Sequence, residues 1–253
     1  MFPYRDDNPT LNTPFVTLIL IGLNVAVWVL IQGMGAEPSL SRSVCELGLI
    51  PGEFLGLLPV GATVPMGPNT VCVLGDERTW FTPVTSMFLH GGWFHLIGNM
   101  WFLWVFGNNV EDSMGHLRYL AFYVLCGLAA AAAQTFMSPS SAIPMVGASG
   151  AISGVMGAYI VLYPRVRVHM LVVLVIFITR IVVPAYLMLG YWFLLQLLGG
   201  GLTSGSEGGV AFWAHAGGFV AGALLIFMFR DPELVAQHRA LAKTTNKLGY
   251  QER

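Results

Sequence analysis

Hydrophobic positions in this chain fall in long, nearly charge-free runs separated by short polar stretches. A membrane-crossing helix takes roughly 17–25 predominantly apolar residues. Six segments meet that length: 15–33, 88–107, 118–137, 146–163, 181–199 and 211–229. The fifth has a blurred start. From Met170 to Leu198 the only charge is Arg180, with Pro184 shortly after. The reading adopted is an interfacial or re-entrant piece over 170–179 and a span beginning near Arg180; two separate spans is the alternative. The pattern therefore predicts an all-α membrane protein, a bundle of six transmembrane helices.

Basic residues orient the bundle. With six spans both termini share a side, and on that side fall Arg5, Arg118, Arg165, Arg167, Arg230, Arg239, Lys243, Lys247 and Arg253, with Arg180 near the boundary. The other side holds only Arg42 and Arg78. The excess of positive charge predicts cytoplasmic termini. The chain then divides into a cytoplasmic N-terminus (1–14), a six-span domain (15–229) and a cytoplasmic tail (230–253). Residues 34–87 form a long extracytoplasmic first loop rich in Gly and Pro, and 138–145 and 200–210 face the same way.

Composition agrees with the bilayer as solvent. Of 253 residues 55% are hydrophobic and only 10% charged, with a mean hydropathy of +0.69. A soluble domain of this size would carry far more surface charge. The net charge of −1 is uninformative about nucleic acid, and with no basic run or stacking motif none is expected as a partner. The polar start "MFPYRDDNPTLNTP" and the long first apolar run do not resemble a cleavable signal peptide. Of three cysteines, Cys126 falls in the third span, while Cys45 and Cys72 both fall in the first loop. An oxidising compartment would permit a Cys45–Cys72 disulfide, and two free thiols is the alternative.

Polar groups inside spans carry the functional information, because they are expensive in hydrocarbon and tend to face the bundle interior. The second span opens "FLHGGWFHLIGNMWFLW", the fourth "VGASGAISG" and the sixth "FWAHAGGFVAG". His95 and Asn99 are four residues apart and share a helical face. His90, five residues before His95, would lie about 140° around an ideal helix and serves another purpose near the loop boundary. Ser149, Ser153 and Gly157 recur at spacing four, and His215, Gly218 and Gly222 at spacings of three and four. Small residues at such spacing let membrane helices approach closely. The fourth and sixth spans run in the same direction, so Ser149 and His215 sit at similar depth. Close packing would bring hydroxyl and imidazole within hydrogen-bond reach, the nucleophile–base pair of acyl transfer. His95, Asn99 and the Ser149 amide are candidate oxyanion donors. Each residue alone reads more simply as packing or interhelical hydrogen bonding, and Ser153, Gly154 and Gly157 stay in that class. No acidic residue lies in the spans to orient His215, so a dyad is the most these residues offer.

The segments "HGGWFHLIGN", "GASG" and "AHAGGFVAG" resemble the three signatures of the rhomboid intramembrane serine proteases, in the same order and on the same spans. His90, His95 and Asn99 fit the first, Gly147, Ser149 and Gly150 the second, and His215, Gly218 and Gly222 the third; "GNNVED", with Glu111, is similar too. The resemblance covers most of 80–229. It implies a six-helix rhomboid bundle with a cavity opening outward, Ser149 as nucleophile, His215 as general base, and an oxyanion hole of His95, Asn99 and the Ser149 amide. His90 would belong to the first-loop junction or retain water. Substrates would be single-span membrane proteins cut near the outer face, without metal or cofactor, by a multi-pass protein of the bacterial inner (plasma) membrane. Two departures stand out. Trp80 is followed by Phe81 where many members carry Trp-Arg, and Ser153 stands four residues after the nucleophile where some place an aromatic on the catalytic His. His215 would then be held by Trp213 or by packing alone.

Other classes fit less well. A rhomboid-like protein that binds membrane helices without cutting them typically lacks the Ser or the His, and both are here. A transporter would show an internal repeat or an intramembrane carboxylate. A metalloprotease would show His-Glu-x-x-His. A zinc site of His90, His95 and His215 is the remaining metal reading.

Overall fold

The computed structural model describes residues 2–67, 70–75, 80–174, 177–202 and 210–251. Arg78, residues 203–209 of the 200–210 loop, and Arg253 lie outside the described residues, as do the side chains of Lys243 and Lys247. The protein is mostly helical. The apolar runs become α1 (Phe15–Leu30), α5 (Trp93–Asp112), α6 (His116–Met137), α7 (Ser149–Leu162), α8 (Ala185–Leu202) and α9 (Phe212–Phe229), followed by a terminal helix α10 (Pro232–Gln251). Three of these, α6, α8 and α9, are long and apolar enough to cross a membrane by themselves; α1 and α7 are shorter apolar helices. α5 is 20 residues long but carries His95, Asn99, Asn108, Asn109, Glu111 and Asp112.

α7 is the core helix. Every residue from Gly150 to Tyr159 is buried, and α5, α6, α8 and α9 all pack against it. The glycine stripes make the tightest contact, between α7 and α9. A Cβ on Gly218 would lie 2.1 Å from the Gly150 carbonyl oxygen, and one on Gly222 would lie 1.9 Å from that of Gly154. Gly157 meets the Phe219 carbonyl in the same way. These positions hold backbone against backbone, the geometry expected of small-xxx-small packing.

The first loop folds as a small unit of its own, with α2 (Ser39–Leu47), α3 (Pro51–Phe54), a hairpin of β2 (Thr63–Gly67) and β3 (Thr70–Val73), and a short α4 (Thr82–Thr85). A Cys45–Cys72 disulfide joins α2 to β3, and Ile50, Cys72 and Leu74 form a separate apolar cluster. Cys126 is free and buried.

The opposite end differs from the expectation drawn from the apolar run. No helix starts near Arg180, where the sequence places the start of the fifth span; residues 170–174 and 177–184 are extended instead. They belong to an antiparallel hairpin of β4 (Arg167–Leu174) and β5 (Phe177–Pro184), and the helix begins at Ala185. β1 (Phe2–Asp6) pairs with β4, giving a sheet of order β1-β4-β5. The run is dense in Val and Ile, whose branched Cβ favours extended backbone, and Pro184 fits at the strand end where its missing N–H is not needed.

The N-terminal segment is fastened to the C-terminal end of α5, which explains the "GNNVED" stretch. Glu111 accepts hydrogen bonds from the backbone N–H groups of Val16 (2.9 Å) and Thr17 (2.8 Å) and from the Thr17 hydroxyl (2.7 Å). It thus satisfies donors in the first turn of α1 that have no intrahelical partner. Asp112 accepts from the amides of Leu11 (2.7 Å) and Asn12 (3.1 Å), in the segment that leads into α1.

Candidate active site

Ser149 is the first residue of α7, and His215 the fourth of α9. The close approach of the two helices brings Ser149 Oγ to 2.8 Å from His215 Nε2. Because Ser149 opens its helix, its own N–H has no acceptor four residues back, and the positive end of the helix dipole points at the site. Ser153, one turn on, is fully buried and donates its hydroxyl to the Ser149 carbonyl at 2.6 Å, within its own helix.

His95 and Asn99 lie one turn apart on α5 and line the same cavity as Ser149 and His215, with a volume of about 910 Å³. Gly147 lets the two elements meet. Its φ of 126° suits only glycine, and a Cβ there would lie 2.7 Å from His95 Nε2 and 3.5 Å from Asn99 Nδ2. Its N–H is held by the Ser86 carbonyl at 2.8 Å. His95 Nδ1 accepts a hydrogen bond from the Gly91 N–H at 3.3 Å, which leaves the proton on Nε2, the nitrogen beside Gly147. Asn99 Nδ2 is buried with no hydrogen-bond partner among the described residues. Two side-chain donors therefore converge on the strand of backbone that carries Ser149. Gly150 admits α6 at this point, since a Cβ would lie 2.6 Å from that of Ala130.

His90 does not lie on the α5 helix, which begins only at Trp93 after the extended Gly92. The angular offset from His95 expected for a continuous helix does not apply. The two rings stand edge to face with centroids 5.1 Å apart. Gln32 holds the His90 backbone at both ends, accepting from its N–H and donating to its carbonyl, each at 2.8 Å. His90 is fully buried at the junction of α1, the first loop and α5.

His215 is held by α8, not by Trp213. Gln196 Oε1 lies 2.8 Å from His215 Nδ1, and the Trp192 ring stands beside the imidazole at 5.8 Å between centroids. Trp213 packs instead against Gly200. Neither α8 residue is among the candidates that the sequence offers. The available signal was Gln196 itself, an amide in the middle of "FLLQLLGG", where hydrocarbon disfavours one unless it has an interior partner. Trp80, at the departure in the first loop, is exposed and packs edge-on to Phe81. No three His, Cys, Asp or Glu residues gather as metal ligands among the described residues. Both nitrogens of His215 already face Ser149 and Gln196.

A hydroxyl on an imidazole, with amide and imidazole N–H donors beside it in a pocket, is equipped for acyl transfer. Comparison with known proteins places the same elements in a family. The Rhomboid domain model matches residues 77–232, more than half of the chain. Rhomboid-like protein 11, chloroplastic, of Arabidopsis thaliana is 33% identical over 88 residues, covering 35% of this chain and 31% of its own. Rhomboid protease GluP of Bacillus subtilis (strain 168) is 34% identical over 157 residues, covering 62% of this chain and 28% of its own. Rhomboid protease AarA of Providencia stuartii is 27% identical over 223 residues, covering 83% of this chain and 70% of its own. The chain thus spans about a third or less of the length of the first two. On the domain match and these relatives, the chain belongs to the rhomboid family.

Proposed function

We propose that this protein is an intramembrane serine protease that cleaves single-span membrane proteins near the outer membrane face by a Ser149–His215 dyad. The observation that carries this reading is the 2.8 Å contact between Ser149 Oγ and His215 Nε2 inside a cavity. His215 removes the Ser149 proton as Oγ attacks the scissile carbonyl. The resulting oxyanion is met by the Ser149 N–H, His95 Nε2–H and Asn99 Nδ2. The imidazolium then gives its proton to the departing amine, and water, activated by the same histidine, releases the acyl group and restores Ser149. No step requires a metal or cofactor.

The chain crosses the bilayer six times in this reading, through α1, α5, α6, α7, α8 and α9, as one domain over 15–229 with 1–14 and 230–253 in the cytoplasm. The first loop, and with it the site, then faces outward. The distribution of basic residues supports this orientation, and a bacterial plasma membrane is the proposed location. Gly218 and Gly222 act by holding α9 on α7, and His90 by supporting His95.

The test is cleavage of a labelled single-span substrate after reconstitution in lipid. Ser149→Ala and His215→Ala are each expected to abolish cleavage while the protein stays folded, and a fluorophosphonate probe is expected to label wild type but not Ser149→Ala. Cleavage undiminished in either variant would refute the dyad.

A further inference from the structure

Gln196 reaches the imidazole of His215 from α8. Starting from the backbone, Gln196 Nε2 donates to the Trp192 carbonyl at 3.3 Å, one turn earlier in α8. A carbonyl can only accept, so the amide is fixed with its NH₂ towards Trp192 and its oxygen towards His215. That oxygen lies 2.8 Å from His215 Nδ1. An amide oxygen also only accepts, so Nδ1 must carry the proton. In a neutral imidazole this leaves the lone pair on Nε2, the nitrogen 2.8 Å from Ser149 Oγ. The opposite tautomer would present an N–H to the serine hydroxyl and could not take its proton.

We infer that Gln196 is a positioning residue, which holds His215 in the tautomer and orientation that let Nε2 act as base towards Ser149. The proton on Nδ1 stays there throughout. Only the Ser149 proton moves, to Nε2 and on to the leaving amine, so Gln196 exchanges nothing and needs no charge. A neutral amide suits the place, because a carboxylate would have to be desolvated among apolar side chains. Gln196 is 8% exposed. Trp192, one turn before it on the same helix, stands 5.8 Å from His215 and 6.2 Å from Phe219 between ring centroids. The aromatic absent at Ser153 on α7 is thus replaced by two residues of α8.

This inference rests on the proposed dyad and extends it. Its test compares Gln196→Met, which keeps length and apolar packing but offers no comparable acceptor, with Gln196→Glu, whose carboxyl, kept protonated by the same burial, donates its O–H to the Trp192 carbonyl and keeps an oxygen facing Nδ1. Steady-state cleavage and the rate of fluorophosphonate labelling are measured on folded, reconstituted protein. Gln196→Met is expected to lower kcat about 10²-fold with KM nearly unchanged, and to slow labelling in parallel. Gln196→Glu is expected to recover at least about tenfold of that loss, the order of effect of one correctly placed hydrogen bond. A role in packing alone predicts the reverse order, with Met the better substitute. Met within about twofold of wild type, or more active than Glu, overturns the inference. Imidazole ¹⁵N shifts of wild type give a check independent of folding in the variants: His215 is expected as the Nδ1–H tautomer, and an Nε2–H resonance overturns the inference. Failure of the dyad shows differently, as wild-type cleavage or labelling that survives Ser149→Ala.

Discussion

Asn99 keeps a buried donor without a partner among the described residues, one helical turn from His95 and beside Gly147. Such a group costs about 1–3 kcal/mol relative to a satisfied one, which is unfavourable for stability and useful only if negative charge appears nearby. Replacing it with a similar apolar side chain should separate the two effects. Asn99→Leu is expected to lower kcat about 10²-fold, as loss of one oxyanion donor does, while the unfolding temperature stays level or rises. Turnover kinetics alongside thermal unfolding in detergent checks this, and an unaltered kcat would remove Asn99 from the chemistry. Ser149, His215, His95 and Asn99 were all legible in the sequence, because polar side chains at the ends of apolar spans stand out. Gln196 was not, since a single amide in a span reads as interhelical glue until its neighbour is known. The 140° offset of His90 failed for a different reason: Gly91 and Gly92 precede the helix, so helical geometry did not extend that far.

At the scale of elements, the reach between Ser149 and His215 depends on two helices touching through backbone. The Cβ positions at Gly218 and Gly222 fall 2.1 and 1.9 Å from carbonyl oxygens of α7, whereas an ordinary contact needs about 3.5 Å. Backbone cannot rotate aside, so a side chain there must push α9 away. Gly222→Val is expected to destabilise the protein by about 1–3 kcal/mol. It should also lower kcat about 10²-fold, since a displacement of about 1 Å suffices for that. At Gly190, on α8, an added Cβ would meet nothing within 4 Å among the described residues, and Gly190→Val serves as the control with cleavage unchanged. Equal activity of the two variants would show that the α7–α9 distance does not govern the site. The glycine stripes were readable as periodicity within one segment. The β4–β5 hairpin was hidden, because a buried strand and a buried span are both continuous apolar runs. Its partner β1 comes from the far N-terminus, where residues such as Phe2 pair with Leu171.

Across the whole molecule, the reactive groups gather at one end of α7 and a second polar cluster gathers at the other. There Tyr159 donates to the carboxyl of Asp6, tying β1 to the helix that begins with Ser149. His169 Nε2 lies 2.7 Å from Asp7 Oδ1, and Arg167 Nε lies 2.9 Å from Asp7 Oδ2. Burial raises the pKa of Asp6 from 3.8 to about 6, despite the Tyr159 hydrogen bond, which acts the other way. The folded protein therefore holds this proton more tightly than the unfolded chain does. The associated stability is fully present below about 3.8, declines as pH rises towards about 6, and is lost above that. Asp6→Asn keeps an oxygen for Tyr159 and removes the charge. Its stability relative to wild type is expected to be near zero at the acid end, to grow as pH rises through about 6, and then to level off. Denaturant unfolding of the pair across that range, with hydrogen exchange of the β1 amides, measures it. A difference that shrinks with rising pH would mean that Asp6 is held as a stabilised carboxylate, and that the clasp between β1 and α7 is an ionic one.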